Sequence, residues 1–264
     1  MAVDLIQAER FALQVERFYA SLIRTAGAPG LTSESRESES GLGGKLLYAG
    51  ELDKEARALL VAANIAGVAS LAASADAAER KQALREGVVD FLVTSLDEAL
   101  RILKNEIRKR EPVAVCVALE PETVEAEMRE RGVAPDLMRP GATDSLDGQT
   151  LLCWSVASSP AIWLPKLDAI ALACLEENMG ASRLDSETWD SARRWLRLAP
   201  RYLGRMAQDV RVLRCSESAA ANFRERMREE VESGVIGVAV EIKLFGEGRA
   251  ERLCFTPPGR QYLQ

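Results

Sequence analysis

The sequence contains no histidine. This absence excludes serine or cysteine nucleophiles activated by histidine, and it excludes zinc sites with histidine ligands. It also removes the side chain that most often acts as a general base near neutral pH. Any catalysis would therefore depend on carboxylates, lysine, tyrosine, cysteine or a cofactor.

The chain also lacks an excess of positive charge and a long apolar run. It has 34 Lys and Arg residues against 40 Asp and Glu, a net charge of −6. General nucleic-acid binding needs a basic surface, so we expect no nucleic-acid partner. No apolar run reaches the roughly 18 residues of a membrane span, and the first ten residues lack a secretory pattern. We therefore expect a cytoplasmic protein without a membrane partner.

Cysteine is scarce and its spacing is uninformative. None of the five cysteines forms a C-x-x-C pair, and most lie within apolar runs. This favours small buried hydrophobic residues in a reducing compartment, and it predicts no metal site.

Helix-forming residues dominate what is present. Of the 264 residues, 47% are apolar but only 5% aromatic, which favours helix over an all-β fold. Apolar residues recur every three or four positions from 3 to 25, which predicts an amphipathic helix within a first segment, 1–25. Residues 26–44 are rich in Ser, Gly and Glu and predict a flexible linker. The helix must cover its apolar face on its own domain or on a neighbouring copy, as an exchanged arm in a homodimer.

Short apolar runs then alternate with helical patterns, which predicts a Rossmann-like α/β core over 45–148. The fold class is α/β: a doubly wound parallel sheet with an N-terminal helix and an α+β C-terminal extension. The expected strands are 45–49, 68–73, 88–93, 112–119 and 134–138, and the expected helices are 52–66, 77–86, 96–110 and 121–131.

The C-terminal region, 149–264, is predicted to be helical and α+β, and its tail from 210 to 256 has strand-helix-strand-strand character. Strands are expected at 150–156 and 210–215, a hairpin at 235–256, and helices at 162–177, 186–198, 201–208 and 218–232. Pro200 is expected to break or kink the helix between 186 and 208. The pattern leaves open whether this region extends the first sheet or forms a second unit.

The turn after the first strand carries little of a nucleotide-binding loop. A dinucleotide site usually has G-x-G-x-x-G there, whereas this turn keeps only Gly50. Glu51, Asp53 and Glu55 place three carboxylates in the first turn of the next helix. They complement the helix dipole themselves and would repel a second anion, so the turn is a poor phosphate site.

Ligands of open α/β sheets bind beyond the carboxyl ends of the strands. The candidate cofactor-binding residues there are Gly50, Ser74, Asp76, Thr94 and Ser95. Asp76 lies where an acid that binds a ribose would fall. The alternative is that these residues are only turns and helix caps, and capping alone explains Thr94 and Ser95.

Four arginines recur every fourth residue at positions 193, 197, 201 and 205, which are Arg193, Arg197, Arg201 and Arg205. If one helix carries all four, they form a basic stripe for an anion or a partner protein. The alternative is a solvated helix face that pairs with nearby acids.

Residues 45–148 resemble the NAD-binding domain of urocanase (urocanate hydratase). The resemblance rests on the order of elements, on Ser95-Leu96-Asp97-Glu98-Ala99-Leu100, on Arg131-Gly132-Val133 and on Asp144-Ser145-Leu146-Asp147-Gly148. It implies the fold, and NAD as a cofactor. The glycine-rich loop of urocanases is replaced here, as is the T-D-Q-T-S-A-H-D run after the fifth strand, where this chain has Arg139-Pro140-Gly141-Ala142-Thr143-Asp144.

Three functional hypotheses follow. The first is a non-catalytic urocanase-like protein that binds a small ligand or a protein partner. The second is a divergent NAD- or nucleotide-dependent enzyme of the hydratase or lyase kind. The third is a purely structural subunit of an assembly, which would have a large obligate interface. The degenerate loop and the missing histidines favour the first.

Overall fold

A computed structural model describes residues 2–27, 42–140, 146, 148–178, 183–246 and 249–258, without the side chains of 2–4, 26–27, 183–188 and 249. Most of the expected linker therefore lies outside the described residues. Two compact units are present. One comprises residues 13–144 with 202–206, and the other comprises 1–12, 145–201 and 207–264.

The first unit is a parallel sheet flanked by helices, which confirms the α/β Rossmann-like fold class. Its elements are β1 (Leu46–Glu51), α2 (Lys54–Ala66), β2 (Ala69–Ala73), α3 (Ala77–Glu86), β3 (Phe91–Val93), α4 (Leu96–Lys109), β4 (Val113–Val117), α5 (Pro121–Glu130) and β5 (Leu137–Met138). The strand order is β3-β4-β2-β1-β5, and each described pairing is parallel. Each of these elements overlaps its expected range.

The core of this unit forms where the central strands meet the helices. Every residue of β2 and β4 is buried, as expected for strands covered on both faces. Leu71, Val115 and Leu103 lie in one cluster of buried side chains between the sheet and the helices. Full burial of each such side chain stabilises the folded state by about 1.5–3 kcal/mol.

The first helix of the chain, α1 (Ala2–Gly27), matches the predicted amphipathic helix. Val15, Phe18, Tyr19 and Leu22 are buried within the single chain. A neighbouring copy is therefore not needed to cover these side chains.

The second unit contains a separate antiparallel sheet, so the C-terminal region does not extend the first sheet. Its strands are β6 (Thr150–Val156), β7 (Val210–Cys215), β8 (Val240–Gly246) and β9 (Arg249–Phe255), in the order β7-β6-β8-β9. Its helices are α6 (Pro160–Glu177), α7 (Arg183–Ala207) and α8 (Glu217–Glu232). The helices α6 and α8 pack on each other and on the sheet. Trp154 of β6 packs against Phe223 of α8, with ring centroids 5.1 Å apart.

The helix α7 is not broken at Pro200, which was one of the two outcomes predicted there. Helical backbone angles continue through Pro200, and the backbone leaves helical geometry at Gly204, with φ 52° and ψ −147°. Proline costs a helix one hydrogen bond and strains the preceding turn, yet the helix continues beyond it. Glycine is the residue that tolerates the backbone angles at position 204.

Within the described part of the chain, no helix has both the length and the apolar character of a membrane span.

Candidate functional site

The first feature of the candidate site is the turn at Gly50, at the carboxyl end of β1. The register between β1 and β2 shifts between Tyr48 and Gly50, and Gly50 has φ 74°. A Cβ atom at this position would meet nothing within 4 Å. The backbone angle therefore requires glycine here, whereas close contact with neighbouring atoms does not.

The N-terminus of α2 is closed by side chains of the chain itself. Asp53 caps the helix, because its Oδ1 accepts a hydrogen bond from the Ala56 amide at 2.7 Å. Arg139, directly after β5, donates to Asp53 Oδ2 at 3.0 Å and to Glu55 Oε2 at 2.5 Å. We call Asp53, Glu55 and Arg139 the Arg139 cluster. It links the end of β5 to the start of α2.

Asp53 and Glu55 stabilise the charged form of Arg139. Partial burial of Arg139 disfavours its charged form, but the hydrogen bonds and charges of Asp53 and Glu55 outweigh this and raise the pKa of Arg139. Sequence reasoning identified the two carboxylates but missed the arginine. The acidic residues at the start of α2 favour a positively charged side chain beside them, and this was the signal in the sequence.

At the end of β2, Ser74 and Asp76 are held by the backbone that follows them. The Ser74 hydroxyl accepts from the Asp76 amide at 3.2 Å, and the Ser74 carbonyl accepts from Arg80 Nη1 at 2.6 Å. Asp76 Oδ1 accepts from the amides of Ala78 and Glu79 at 2.6 and 3.3 Å. Asp76 is therefore the N-cap of α3.

At the end of β3, Thr94 and Ser95 begin α4. Ser95 Oγ accepts from the Glu98 amide at 3.3 Å, and the Glu98 carboxylate accepts from the Thr94 amide at 3.4 Å. This reciprocal arrangement is a variant of the capping box, with the second bond displaced by one residue.

The parallel sheet brings the five predicted cofactor residues to its carboxyl edge, but not to one point. Gly50 is the penultimate residue of β1 and Ser74 follows β2, and these two strands are neighbours. Thr94 and Ser95 follow β3, which is separated from β2 by β4. The described side-chain hydrogen bonds of Asp76 and Ser95 serve a helix N-terminus. Their role in binding a ligand stays a prediction.

Burial favours the neutral form of Tyr48 and Cys116, two residue types that can act in catalysis without histidine. Burial, with smaller contributions from Glu125 and Glu122, raises the pKa of Tyr48 well above its usual range. Burial, opposed by Arg80, raises the pKa of the Cys116 thiol to about 11. Neither side chain is a ready base or nucleophile near neutral pH.

The second candidate surface is the polar face of α7. Arg193, Arg197 and Arg201 are exposed along this helix, and Arg193 lies over the Trp189 ring at 5.2 Å. Arg205 is also exposed, but it follows Gly204, where a kink interrupts the helical geometry. Three of the four predicted arginines therefore lie on one continuous helix with the four-residue spacing of a basic stripe.

The parallel unit can now be compared with known families. Residues 32–146 match the family model of the urocanase Rossmann-like domain. This region is similar to that domain. The match includes all five parallel strands and ends before β6, so the antiparallel sheet lies beyond it. The predicted relationship is confirmed for this part of the chain.

NAD is the cofactor that this similarity implies, and its pyrophosphate would bind at the start of α2. Such a group is bound by free backbone amides at a helix N-terminus, with glycines that let the backbone approach it. Here Asp53 already accepts from the α2 amide of Ala56, and Glu55 adds a second negative charge. These residues do not fit a dinucleotide pyrophosphate. Among the described residues, no cluster of three metal-binding side chains is present either.

Proposed function

We propose that this chain is a non-catalytic urocanase-like protein that acts by binding, and that its Rossmann-like unit no longer uses NAD. The observation that carries this proposal is the Arg139 cluster. Its two carboxylates and one guanidinium occupy the helix terminus at which a pyrophosphate would have to bind.

The charges at the start of α2 disfavour a pyrophosphate there, in addition to the missing glycines. An incoming pyrophosphate would have to displace Arg139 from Asp53 and Glu55, and it would then face two carboxylates in place of free amides. Like charges at this distance repel in a partly buried site, because screening by water is weaker there. The absence of histidine and the neutral Tyr48 and Cys116 further favour binding over catalysis.

The test is a thermal-shift titration of the full chain with NAD, NADP, ATP and urocanate. A ligand present at 100 times its dissociation constant would add about 2.7 kcal/mol to the free energy of unfolding. We expect no saturable shift with any of the four. A saturable shift with NAD that disappears in Gly50→Val would instead support the divergent enzyme.

The surface that we assign to a partner is the exposed face of α7 around Arg193 and Arg197. Planar guanidinium groups bind carboxylates in pairs, so the expected partner is an acidic protein segment. Binding of a fluorescent poly-glutamate peptide should weaken with salt and should be lost in Arg193→Glu/Arg197→Glu. Charge reversal at Arg228 and Arg252, which lie on other elements, is the matched control. If both double variants lost peptide binding to the same extent, the binding would depend on net charge and not on the α7 surface.

A cytoplasmic location and a homo-oligomer remain predictions. Sedimentation of the purified chain over a range of concentrations tests the second, and a species of constant monomer mass would contradict it.

A further inference from the structure

A groove in the antiparallel unit belongs to neither candidate surface described above. It has a volume of about 300 Å³ and lies between α8 and the strands β6, β8 and β9. Its lining residues are Thr150, Glu217, Ala220, Ala221, Arg224, Leu244, Gly246 and Glu251. This volume is at the lower end of the range for small-molecule sites.

Small residues create the groove. Ala220 and Ala221 face it from α8, and their short side chains leave space above the sheet. Leu244 of β8 is only half-buried, so its apolar surface remains accessible. The floor of the groove is therefore apolar and narrow.

Charged groups of both signs surround this floor. Arg224 of α8 approaches Glu251 of β9, with Nη1 and Oε2 3.7 Å apart. This separation is longer than a hydrogen bond, so both groups keep hydrogen-bonding capacity for a ligand. Glu217 adds a second carboxylate from the first turn of α8.

The spacing of these charges defines a ligand. Glu217 and Arg224 are seven residues apart on one helix, which corresponds to about 10 Å along its axis. A ligand that matches Arg224 and Glu251 carries one negative and one positive group close together. To match Glu217 as well, it carries a second positive group at the end of an apolar stem. Free basic amino acids have this arrangement, with a stem of about three or four methylene groups.

We infer that this groove binds a free basic amino acid of the lysine type. The α-carboxylate pairs with Arg224, the α-ammonium pairs with Glu251, and the side-chain ammonium pairs with Glu217. The methylene stem lies on Ala221 and Leu244. The inference is independent of the proposed loss of NAD, because all of these residues belong to the antiparallel unit.

The experiment is calorimetric titration of the full chain with three probes. Lysine has all three charged groups, norleucine lacks the side-chain ammonium, and cadaverine lacks the carboxylate. We expect lysine to bind at least about tenfold more tightly than either of the others, because each loses one charged hydrogen-bonded contact.

Variants assign each contact. Glu217→Gln should remove the preference for lysine over norleucine, and Arg224→Gln should remove the preference for lysine over cadaverine. Ala221→Leu should fill the groove and abolish binding while keeping a good helix former on a half-exposed position. Arg228→Gln, on the same helix but outside the groove, is the control and should leave binding unchanged.

The inference is overturned if lysine gives no saturable heat, if norleucine binds as tightly as lysine, or if Ala221→Leu leaves binding intact. Circular dichroism of each variant shows that the fold is retained, so a loss of binding reports on the groove.

Discussion

Arg139 donates to the same carboxylate that caps α2: its Nη1 lies 3.0 Å from Asp53 Oδ2, while Asp53 Oδ1 accepts from the Ala56 amide. One aspartate thus satisfies a helix terminus and anchors the end of β5. In a dinucleotide-binding fold the corresponding helix terminus contacts a phosphate. Here the chain supplies both partners of the interaction.

Replacing Arg139 tests how much this link contributes to stability. We expect Arg139→Gln to lower the free energy of unfolding by about 0.5–1 kcal/mol, since the acidic partners are about half exposed and exposed ion pairs contribute little. The loss should shrink between about 0.1 and 1 M salt, where the screening length falls from about 10 to about 3 Å. Urea unfolding measures both quantities. Arg129→Gln, an exposed arginine on α5, is the control, and an equal loss there would remove the special role of Arg139.

Asp76 provides a test of capping against ligand binding. Asp76→Ala removes the acceptor for the Ala78 and Glu79 amides and should cost about 1 kcal/mol. The helix α3 buries only Ala83, so little packing compensates for the loss. Asp76→Ser keeps an acceptor and should retain most of the stability. If Ser and Ala destabilise equally, the carboxylate has a role beyond capping. Thermal unfolding of both variants gives the comparison.

Local patterns were enough to predict the parallel unit. Its strands are continuous apolar runs, and its helices begin at capping residues such as Ser95 and end at glycines such as Gly67 and Gly87. These signals act over a few residues and are visible in the sequence itself. The same is true of the hairpin formed by β8 and β9. Of its predicted turn, 245–248, the first two residues belong to β8, and 247–248 lie outside the described residues.

The contacts that define the candidate site could not be predicted in this way. Arg139 is 86 residues from Asp53 and 84 from Glu55, and only the pairing of β5 with β1 brings them together. The strand β5 has two residues, which is too short for its pattern to fix that pairing. The interruption of α7 lies at Gly204 and not at Pro200, so the local preference of proline alone does not locate it.

Substitutions at Gly50 test whether its backbone conformation is what requires glycine at this position. Gly50→Ala should destabilise the protein by about 1–2 kcal/mol, because an L residue at positive φ is strained. Gly50→Asn should cost less, since asparagine tolerates this region. Space alone does not limit either substitution, as no atom lies within 4 Å of the added Cβ. Denaturant unfolding compares the two variants, and an equal cost for Asn and Ala would contradict this explanation.

The buried pair of Asp168 and Arg211 predicts an unusual pH dependence. Arg211 Nε donates to Asp168 Oδ2 at 3.0 Å, and both side chains are largely buried. Burial raises the pKa of Asp168 above its ordinary 3.8, and Arg211 and Trp154 only partly oppose this effect. The folded state therefore holds this proton to a higher pH than the unfolded state does. Stability contributed by Asp168 is largest below 3.8 and falls as pH rises toward the folded-state pKa.

Asp168→Asn removes this titration while keeping a similar shape. The destabilisation that it causes should therefore be largest near pH 4 and should decrease toward pH 7, because only the wild type loses stability over that range. Urea unfolding of both proteins at several pH values measures the difference, and the exposed Asp97→Asn is measured alongside to account for general effects of net charge. A destabilisation that instead grows with pH would mean that the ion pair with Arg211 outweighs the cost of burying the carboxylate.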